Sequence, residues 1–247
     1  RVDFSLLADS VTFAFSLVGV LVTAGTNRLT IGSHNAENFF GGAGEDTLDF
    51  SDLDTTHTIT LTDQGMVDGF RGTATSIGGI FNNINQVIGS SATDDELYGL
   101  DSGGEWEFGA TTTYTQVNTL TIVDAENLIA GNGPDTFHLG DDTTFTGLLN
   151  GRGGEDTLDL SSYTTARQVT LTGTGSIDGF DGTEASGFAF SNIDVLLGTS
   201  GADSLTGADL AQNWNLSATA HTVTANTQTL TFSSFETLVG GSAADEF

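Results

Sequence analysis

The sequence predicts an all-β protein, a right-handed parallel β-solenoid, from three observations. The chain repeats itself, because GGAGEDTLDFS at residues 41–51 returns as GRGGEDTLDLS at residues 151–161, where Asp156 takes the place of Asp46. Apolar residues come in short bursts that often alternate with period two, which is the pattern of strands. Glycine- and aspartate-rich turns recur between the bursts. Repeating turns favour a solenoid over a sandwich or barrel, which is the alternative.

The repeat also predicts how the chain is divided. A unit of about 110 residues exceeds the usual ~20–45 residues of one solenoid coil, so it is divided into about five coils of about 22 residues. Residues 32–140 and 141–247 form two repeats, and residues 1–31 align poorly and are interpreted as a divergent coil or an end cap. At the other end, the motif at Phe247 stops where its counterpart continues beyond Phe137. We therefore expect the array to continue or to dock onto a neighbour.

Composition excludes several classes of function. The chain has 33 acidic and 5 basic residues, a net charge of −28 and no lysine. Nucleic acid is excluded because phosphate binding needs clustered Lys and Arg, and an anionic membrane surface is disfavoured for the same reason. No stretch is apolar enough to insert into a bilayer. Cysteine is absent, which removes disulfides and thiolate zinc sites. A cation is the natural partner of so many carboxylates.

The glycine-rich turns carry the candidate chemistry. GGAGEDTLD at residues 41–49 satisfies the nonapeptide pattern G-G-x-G-x-D-x-(apolar)-x at every fixed position. Glycines permit positive φ, so that a tight turn can point several carbonyl oxygens at one place, and an aspartate adds charge. Calcium takes six to eight oxygens, more than one turn supplies, so stacked turns would have to share the ion. Asp135 and Asp156 are separated by close to the length of one coil and form the best candidate pair.

The turn pattern resembles the RTX family of secreted bacterial repeat proteins. The resemblance implies a parallel β-roll or β-helix that binds Ca²⁺ in its turns, and export to the cell surface or medium. The calcium-binding aspartate of the pattern corresponds here to the following residues: Asp46, Asp135, Asp156, Asp203 and Asp245. The turn glycines correspond to Gly41, Gly44, Gly131, Gly133, Gly151 and Gly154.

The chain also departs from the RTX pattern. Its motifs are mostly isolated rather than in tandem, the copy at Gly32 has Glu37 in the aspartate position, and the copy at Gly89 (GSSATDDEL) is loose. The alternative interpretation is that these aspartates only cap backbone amides in solenoid turns.

The wider layout, ENL-x-x-G followed by a DTF or DTL turn, resembles the repeat arrays of giant bacterial surface proteins and adhesins. We therefore expect a secreted, calcium-stabilised structural module, and the coil that ends at Phe247 predicts a filament or stalk formed by head-to-tail stacking. One alternative is a monomeric adhesin segment that binds glycans, with Trp106 or Trp214 stacking on sugars, although a core role is favoured for both. A polysaccharide lyase or hydrolase is less expected, because lysine is absent and the five arginines are scattered. No catalytic residue is assigned.

Overall fold

The protein is an all-β solenoid of about seven turns in a computed structural model that describes residues 1–32, 38–217 and 221–247. No helix occurs in these ranges, and so none is long and apolar enough to cross a membrane. The parallel β-solenoid predicted from the repeat is confirmed. The turn after Gly32, with His34 and Glu37, lies outside the described residues.

The strands belong to two compact units, residues 1–100 with 111–128, and residues 101–110 with 129–247. The first unit contains β1 (Val2–Asp3), β2 (Val11–Ser16), β3 (Gly19–Ala24), β4 (Asn27–Ile31), β5 (Phe39–Phe40), β6 (Thr47–Asp49), β7 (Thr58–Gln64), β8 (Phe70–Ala74), β9 (Phe81–Ile84), β10 (Gln86–Ile88), β11 (Glu96–Tyr98), β13 (Thr112–Thr115) and β14 (Thr119–Val123). The second contains β12 (Glu105–Phe108), β16 (Thr136–Gly140), β17 (Leu148–Asn150), β18 (Thr157–Ser162), β19 (Gln168–Thr174), β20 (Phe180–Glu184), β21 (Ala189–Ile193), β22 (Val195–Leu197), β23 (Ser204–Thr206), β24 (Gln212–Leu216), β25 (His221–Ala225), β26 (Gln228–Ser233), β27 (Thr237–Val239) and β28 (Asp245–Glu246). The boundary falls within β15 (Asn127–Ile129).

In the first unit, consecutive parts of the chain alternate between two sheets. One sheet has the order β1-β5-β9-β8-β7-β11, and the other contains β4-β3-β2-β6-β10-β14. β2, β6, β10 and β14 are parallel and pair in register, with Thr12 beside Thr47, Thr47 beside Gln86, and Gln86 beside Thr121. The strands β7, β8 and β9 form an antiparallel meander, which is the place where the chain leaves the simple coil.

The second unit repeats this arrangement. One of its sheets has the order β17-β21-β20-β19-β23-β27, and the other has the order β12-β16-β18-β22-β26-β25-β24-β28. β19–β21 and β24–β26 are antiparallel meanders. In the second of these, β24 is parallel to β28, just as β2 of the β2–β4 meander is parallel to β6. Strands β2–β4 therefore build a meander of the same kind as strands β24–β26.

Coil length is more variable than the repeat spacing predicted. The step from Thr136 to Thr157 is close to the expected length of one coil, but the step from Thr47 to Gln86 is nearly twice as long. The inserted meander accounts for the difference, because β7–β9 lies between β6 and β10 in the chain. Meander strands alternate polar and apolar residues just as coil strands do, and so their sequence gives no sign of the inserted turns.

The core of each unit is built from rows of inward-facing side chains in register. In the second unit the row across β12, β16, β18, β22 and β26 consists of Trp106, Phe137, Leu158, Leu196 and Phe232, all 0–1% exposed. Full burial of one such side chain contributes about 1.5–3 kcal/mol. These rows hold the two sheets together and fix the position of the turns at their ends.

We expect Leu158→Ala to lower the free energy of unfolding by about 2–5 kcal/mol, because it leaves a cavity in the middle of a packed row. Val117→Ala, at a side chain that is 77% exposed, is the matched control and should have almost no effect. Chemical denaturation followed by circular dichroism measures both. Equal stability of the two variants would show that the row does not form.

Candidate metal site in the glycine-rich turns

Most of the predicted turn aspartates are buried immediately before a strand. Asp46, Asp135, Asp156 and Asp203 are 0–1% exposed and precede β6, β16, β18 and β23, whereas Asp245 is only half-buried. Asp95, which precedes β11, is equally buried and was missed as a candidate, although it occupies the aspartate position of the loose copy at Gly89. Burial of a carboxylate requires compensation by charge or by hydrogen bonds.

Asp46 receives that compensation from backbone amides. Its Oδ2 accepts a hydrogen bond from the N–H of Gly42 in its own turn at 2.6 Å. Its Oδ1 accepts one at 2.7 Å from the N–H of Val11, the first residue of β2 in the neighbouring coil. One side chain therefore closes its own turn and ties that turn to the next coil.

The same arrangement recurs at Asp95 and Asp203. Asp95 accepts the N–H of Ser90 at 2.5 Å and of His57 at 2.6 Å. Asp203 accepts the N–H of Thr199 at 2.6 Å and of Arg167 at 2.5 Å. In every case one donor lies four or five residues earlier and the other lies in an adjacent coil.

Asp135 and Asp156 stack on one another, as their spacing predicted. The N–H of Asp135 donates to Oδ1 of Asp156 at 2.8 Å, and Thr136 lies beside Thr157 in the ladder. Asp135 itself accepts the N–H of Gly131 at 3.3 Å and the indole N–H of Trp106 at 3.2 Å. These two turns are therefore joined by an amide–carboxylate bond.

Asp156 differs from the others because its Oδ2 is buried and has no hydrogen-bond donor in the described part of the chain. The donor position four residues earlier is Arg152, which has φ of 64° and directs its N–H to Oδ1 of Asn150 at 2.9 Å. Gly42 occupies the corresponding position in the Asp46 turn and does donate. In GRGG the N–H of Arg152 therefore points to Asn150, whereas in GGAG the N–H of Gly42 points to the turn aspartate.

The backbone amides of these aspartates extend the pattern to the following coil. Asp46 donates its N–H to Oδ1 of Asn85 at 3.1 Å, and Asp203 donates to Oε2 of Glu236 at 2.8 Å. Asp95 and Asp156 donate likewise to Glu126 and Asp194. We call Asp46, Asp95, Asp135, Asp156 and Asp203 the carboxylate ladder, since each connects its own coil to its neighbours.

Burial raises the pKa of several of these carboxyls. It raises the pKa of Asp46 to about 6, of Asp135 to about 7 and of Asp156 to about 8. At Asp156 the charges of Asp135, Asp194 and Asp178 raise the pKa further, although the amide bond from Asp135 opposes this. The Asp156 carboxyl therefore holds a proton at neutral pH.

The turn glycines are needed for close approach, and the expectation that they supply positive φ was wrong for most of them. Among the six candidates only Gly154 has positive φ, at 141°. A Cβ on Gly41 would lie 2.3 Å from Oδ2 of Asp46, and one on Gly151 would lie 2.3 Å from the carbonyl oxygen of Asn192. Gly44 and Gly133 likewise have no room for a Cβ beside the backbone of a neighbouring segment. Gly131 contributes its N–H to Asp135.

The ladder oxygens fit calcium poorly. Calcium takes six to eight oxygens at about 2.3–2.6 Å, and here the carboxylates of Asp46, Asp95 and Asp203 already accept amides on both oxygens. Across the described ranges, no group of three or more His, Cys, Asp or Glu side chains converges on a point that could hold a metal ion. Asp156 and Asp245 are the two predicted ligands with an oxygen that lacks a donor.

A second cluster of titratable groups lies on the outer face of the second unit and was missed by the sequence analysis. His138 on β16 contacts Oε2 of Glu105 at 2.7 Å and Oδ2 of Asp159 at 3.2 Å. Burial lowers the pKa of His138, but the bond to Glu105 and the charges of Glu107 and Asp159 outweigh it and raise the pKa above its usual value. The cluster joins β12, β16 and β18 through side-chain hydrogen bonds.

The two tryptophans belong to the core, which confirms the favoured interpretation. Trp106 and Trp214 are 0% and 2% exposed, and Trp106 stacks on Phe137 with 5.8 Å between ring centroids.

Comparison with known proteins finds no matching family model, no matching curated protein and no matching solved structure.

We expect the stability of the fold to decrease as pH rises. The pKa of Asp156 is raised from 3.8 to about 8, so the folded chain keeps a proton that the unfolded chain loses, and stability falls between these two values. Asp156→Asn should flatten this dependence, because it is neutral at every pH and can still accept the amide of Asp135. Melting temperatures from pH 4 to pH 9 test this, with the exposed Asp142→Asn as control. An unchanged slope in Asp156→Asn would contradict the assignment.

Arg152→Gly should stabilise the chain, for two reasons. It removes a non-glycine residue at positive φ, which costs about 1–2 kcal/mol, and it allows the amide to turn towards Asp156 as at Gly42. Arg152→Ala is the matched control, since it removes the same charge but keeps a Cβ. Thermal unfolding should show a higher melting temperature for the glycine variant alone. Equal gains in both variants would indicate a charge effect instead.

Proposed function

We propose that this chain is a structural repeat module of a secreted β-solenoid protein that forms a filament or stalk by stacking coil on coil. Support comes from the sheet edges. β4 has only β3 as a neighbour and β28 has only β24, within the described residues. Edge strands present unpaired N–H and C=O groups that can pair with another strand.

The observation that carries the proposal is the contrast between two equivalent coils of the second unit. Trp106 and Asp135 correspond to Trp214 and Asp245, which lie one repeat later in the chain. In the first pair the indole N–H reaches Asp135, and the Asp135 amide reaches Asp156 of the next coil. In the second pair Nε1 of Trp214 and Oδ1 of Asp245 are buried without a partner among the described residues.

Both polar atoms of the Gln212 side chain beside them are also buried and unpaired. Each buried unpaired polar group costs about 1–3 kcal/mol. A further coil with an acidic turn, of the kind that Asp156 supplies to Asp135, would cover this end and provide partners. Such a coil, supplied by a second copy of this module, would lengthen the solenoid.

In this proposal calcium acts as a counter-ion that neutralises the acidic surface of the module. With a net charge of −28, two such modules repel one another, and the repulsion between exposed charges is weakened by salt. Divalent cations, as found outside cells, would promote stacking in this way. Secretion itself is supported by the resemblance of the turns to RTX repeats.

The glycan-binding alternative depended on exposed tryptophan rings that could stack on a sugar. Trp106 and Trp214 are buried in the core and present no ring face to a sugar.

Stacking can be tested at the end of the second unit. Phe247 is 62% exposed and lies parallel to Trp214, with 5.4 Å between ring centroids. Phe247→Asp adds a charge to the surface that a further coil would cover, whereas Val117→Asp adds the same charge at an exposed hairpin turn. Sedimentation velocity and electron microscopy in millimolar calcium should show concentration-dependent rods for the wild type and for Val117→Asp, and single modules for Phe247→Asp. Single modules in all three samples would refute stacking.

A further inference from the structure

We infer that the aspartates Asp46, Asp95 and Asp203 of the carboxylate ladder take the place of calcium, so that their turns join neighbouring coils through backbone amides and fold without a divalent cation. This is the opposite of what the RTX-like turn pattern implies. The inference concerns how the coils are held together, and it stands whether or not the modules stack into filaments.

The backbone amides of these three turns point at the aspartate carboxylates. At each of the three aspartates, both carboxylate oxygens accept an N–H at donor–acceptor distances of 2.5–2.7 Å. These amides direct the positive ends of their dipoles at the carboxylate, on the side where a cation would have to lie. A calcium ion would displace them and leave buried donors without partners, at about 1–3 kcal/mol for each group.

Main-chain carbonyls are the other oxygens that a calcium turn needs, and those of the three aspartates already accept hydrogen bonds. The carbonyl of Asp46 accepts the N–H of Gln86 at 3.0 Å, and that of Asp203 accepts the N–H of Thr237 at 3.0 Å. The carbonyl of Asp95 accepts the N–H of Asn127 at 2.9 Å. The carbonyls therefore point along the stack towards the next coil, where they continue the sheet ladder.

The three turns share the aspartate and its two amide donors, and little else. The donors from the neighbouring coils are Val11, His57 and Arg167, which have nothing in common except a backbone N–H. The Asp95 turn has a single glycine, in GSSATDDEL, and yet it keeps the same two amide bonds. The aspartate is therefore the constant part of the geometry and the glycine-rich motif is not.

A charged acceptor suits this position better than a neutral one. Hydrogen bonds to an ionised acceptor are shorter and about twice as strong as neutral ones. Asparagine offers one acceptor oxygen and would place an NH₂ group against the second amide donor. Replacing a ladder aspartate by asparagine thus breaks one of the two links while keeping size and shape.

The experiment compares the wild type with Asp95→Asn and Asp203→Asn, each with and without calcium. Asp94→Asn is the matched control for Asp95→Asn, because Asp94 is its exposed neighbour. Circular dichroism and thermal unfolding are recorded in a calcium chelator and in millimolar calcium, with magnesium as the ionic control. We expect a folded wild type in chelator, and melting temperatures lower by about 2–4 °C or more in the two ladder variants, with or without calcium.

A chain that is unfolded in chelator would overturn the inference, and so would ladder variants that lower the melting temperature only when calcium is present. Amide hydrogen exchange of the wild type gives a second test that does not depend on whether the variants fold. The amides of His57 and Arg167 should be protected in chelator to the same degree as in calcium. Exchange at the rate of an unfolded chain in chelator, with protection gained only on calcium addition, would refute the ladder.

Discussion

The structure depends on one recurring interaction, a buried aspartate carboxylate that accepts one amide from its own turn and one from an adjacent coil. A parallel solenoid has to keep successive coils in register, and sheet hydrogen bonds alone would permit a shift along the strand. The aspartate removes that freedom, because it fixes the last residue before its own strand against the residue that begins or immediately precedes the neighbouring strand. At Asp46 this holds β6 beside β2, and at Asp203 it holds β23 beside β19.

Fixed registers allow the coils to differ widely in length. The chain can insert a three-stranded meander between two ladder positions, as in β7–β9, and still return to the same register at the next coil. The inward rows remain continuous, since Phe13, Leu48, Val87 and Ile122 are in line and buried despite the intervening loops. The additional strands lie in the same sheets as the coil strands, so the core between the sheets is not interrupted.

Sequence alone was sufficient for the parallel solenoid and for the stacking of Asp135 on Asp156, because both follow from repeat spacing. It was not sufficient for coil length, since β7–β9 has the same alternation as any coil strand. Nor could it show what the turn aspartates bind, because that depends on whether nearby amides or carbonyls point inward. Asp95 was missed for a related reason: its turn lacks the glycines of the motif but has the same hydrogen bonds. Nor could the sequence show that the Arg152 amide points to Asn150 instead of Asp156.

The Asp135–Asp156 step shows the limit of this way of joining coils. It is a short step, with no meander between its strands, and it brings two ladder carboxyls into direct succession. Each additional carboxyl in such a stack makes it more costly to ionise the next one, because like charges repel. At Asp156 one carboxylate oxygen also lacks the N–H donor that would stabilise its charge. A proton on Asp156 restores the balance. After Asp46 the equivalent acceptor is the neutral amide of Asn85, whereas the N–H groups of Asp95, Asp156 and Asp203 donate to acidic side chains, those of Glu126, Asp194 and Glu236. The short coil therefore concentrates the electrostatic cost at Asp156, which follows Asp135 directly and has a carboxylate oxygen with no donor among the described residues.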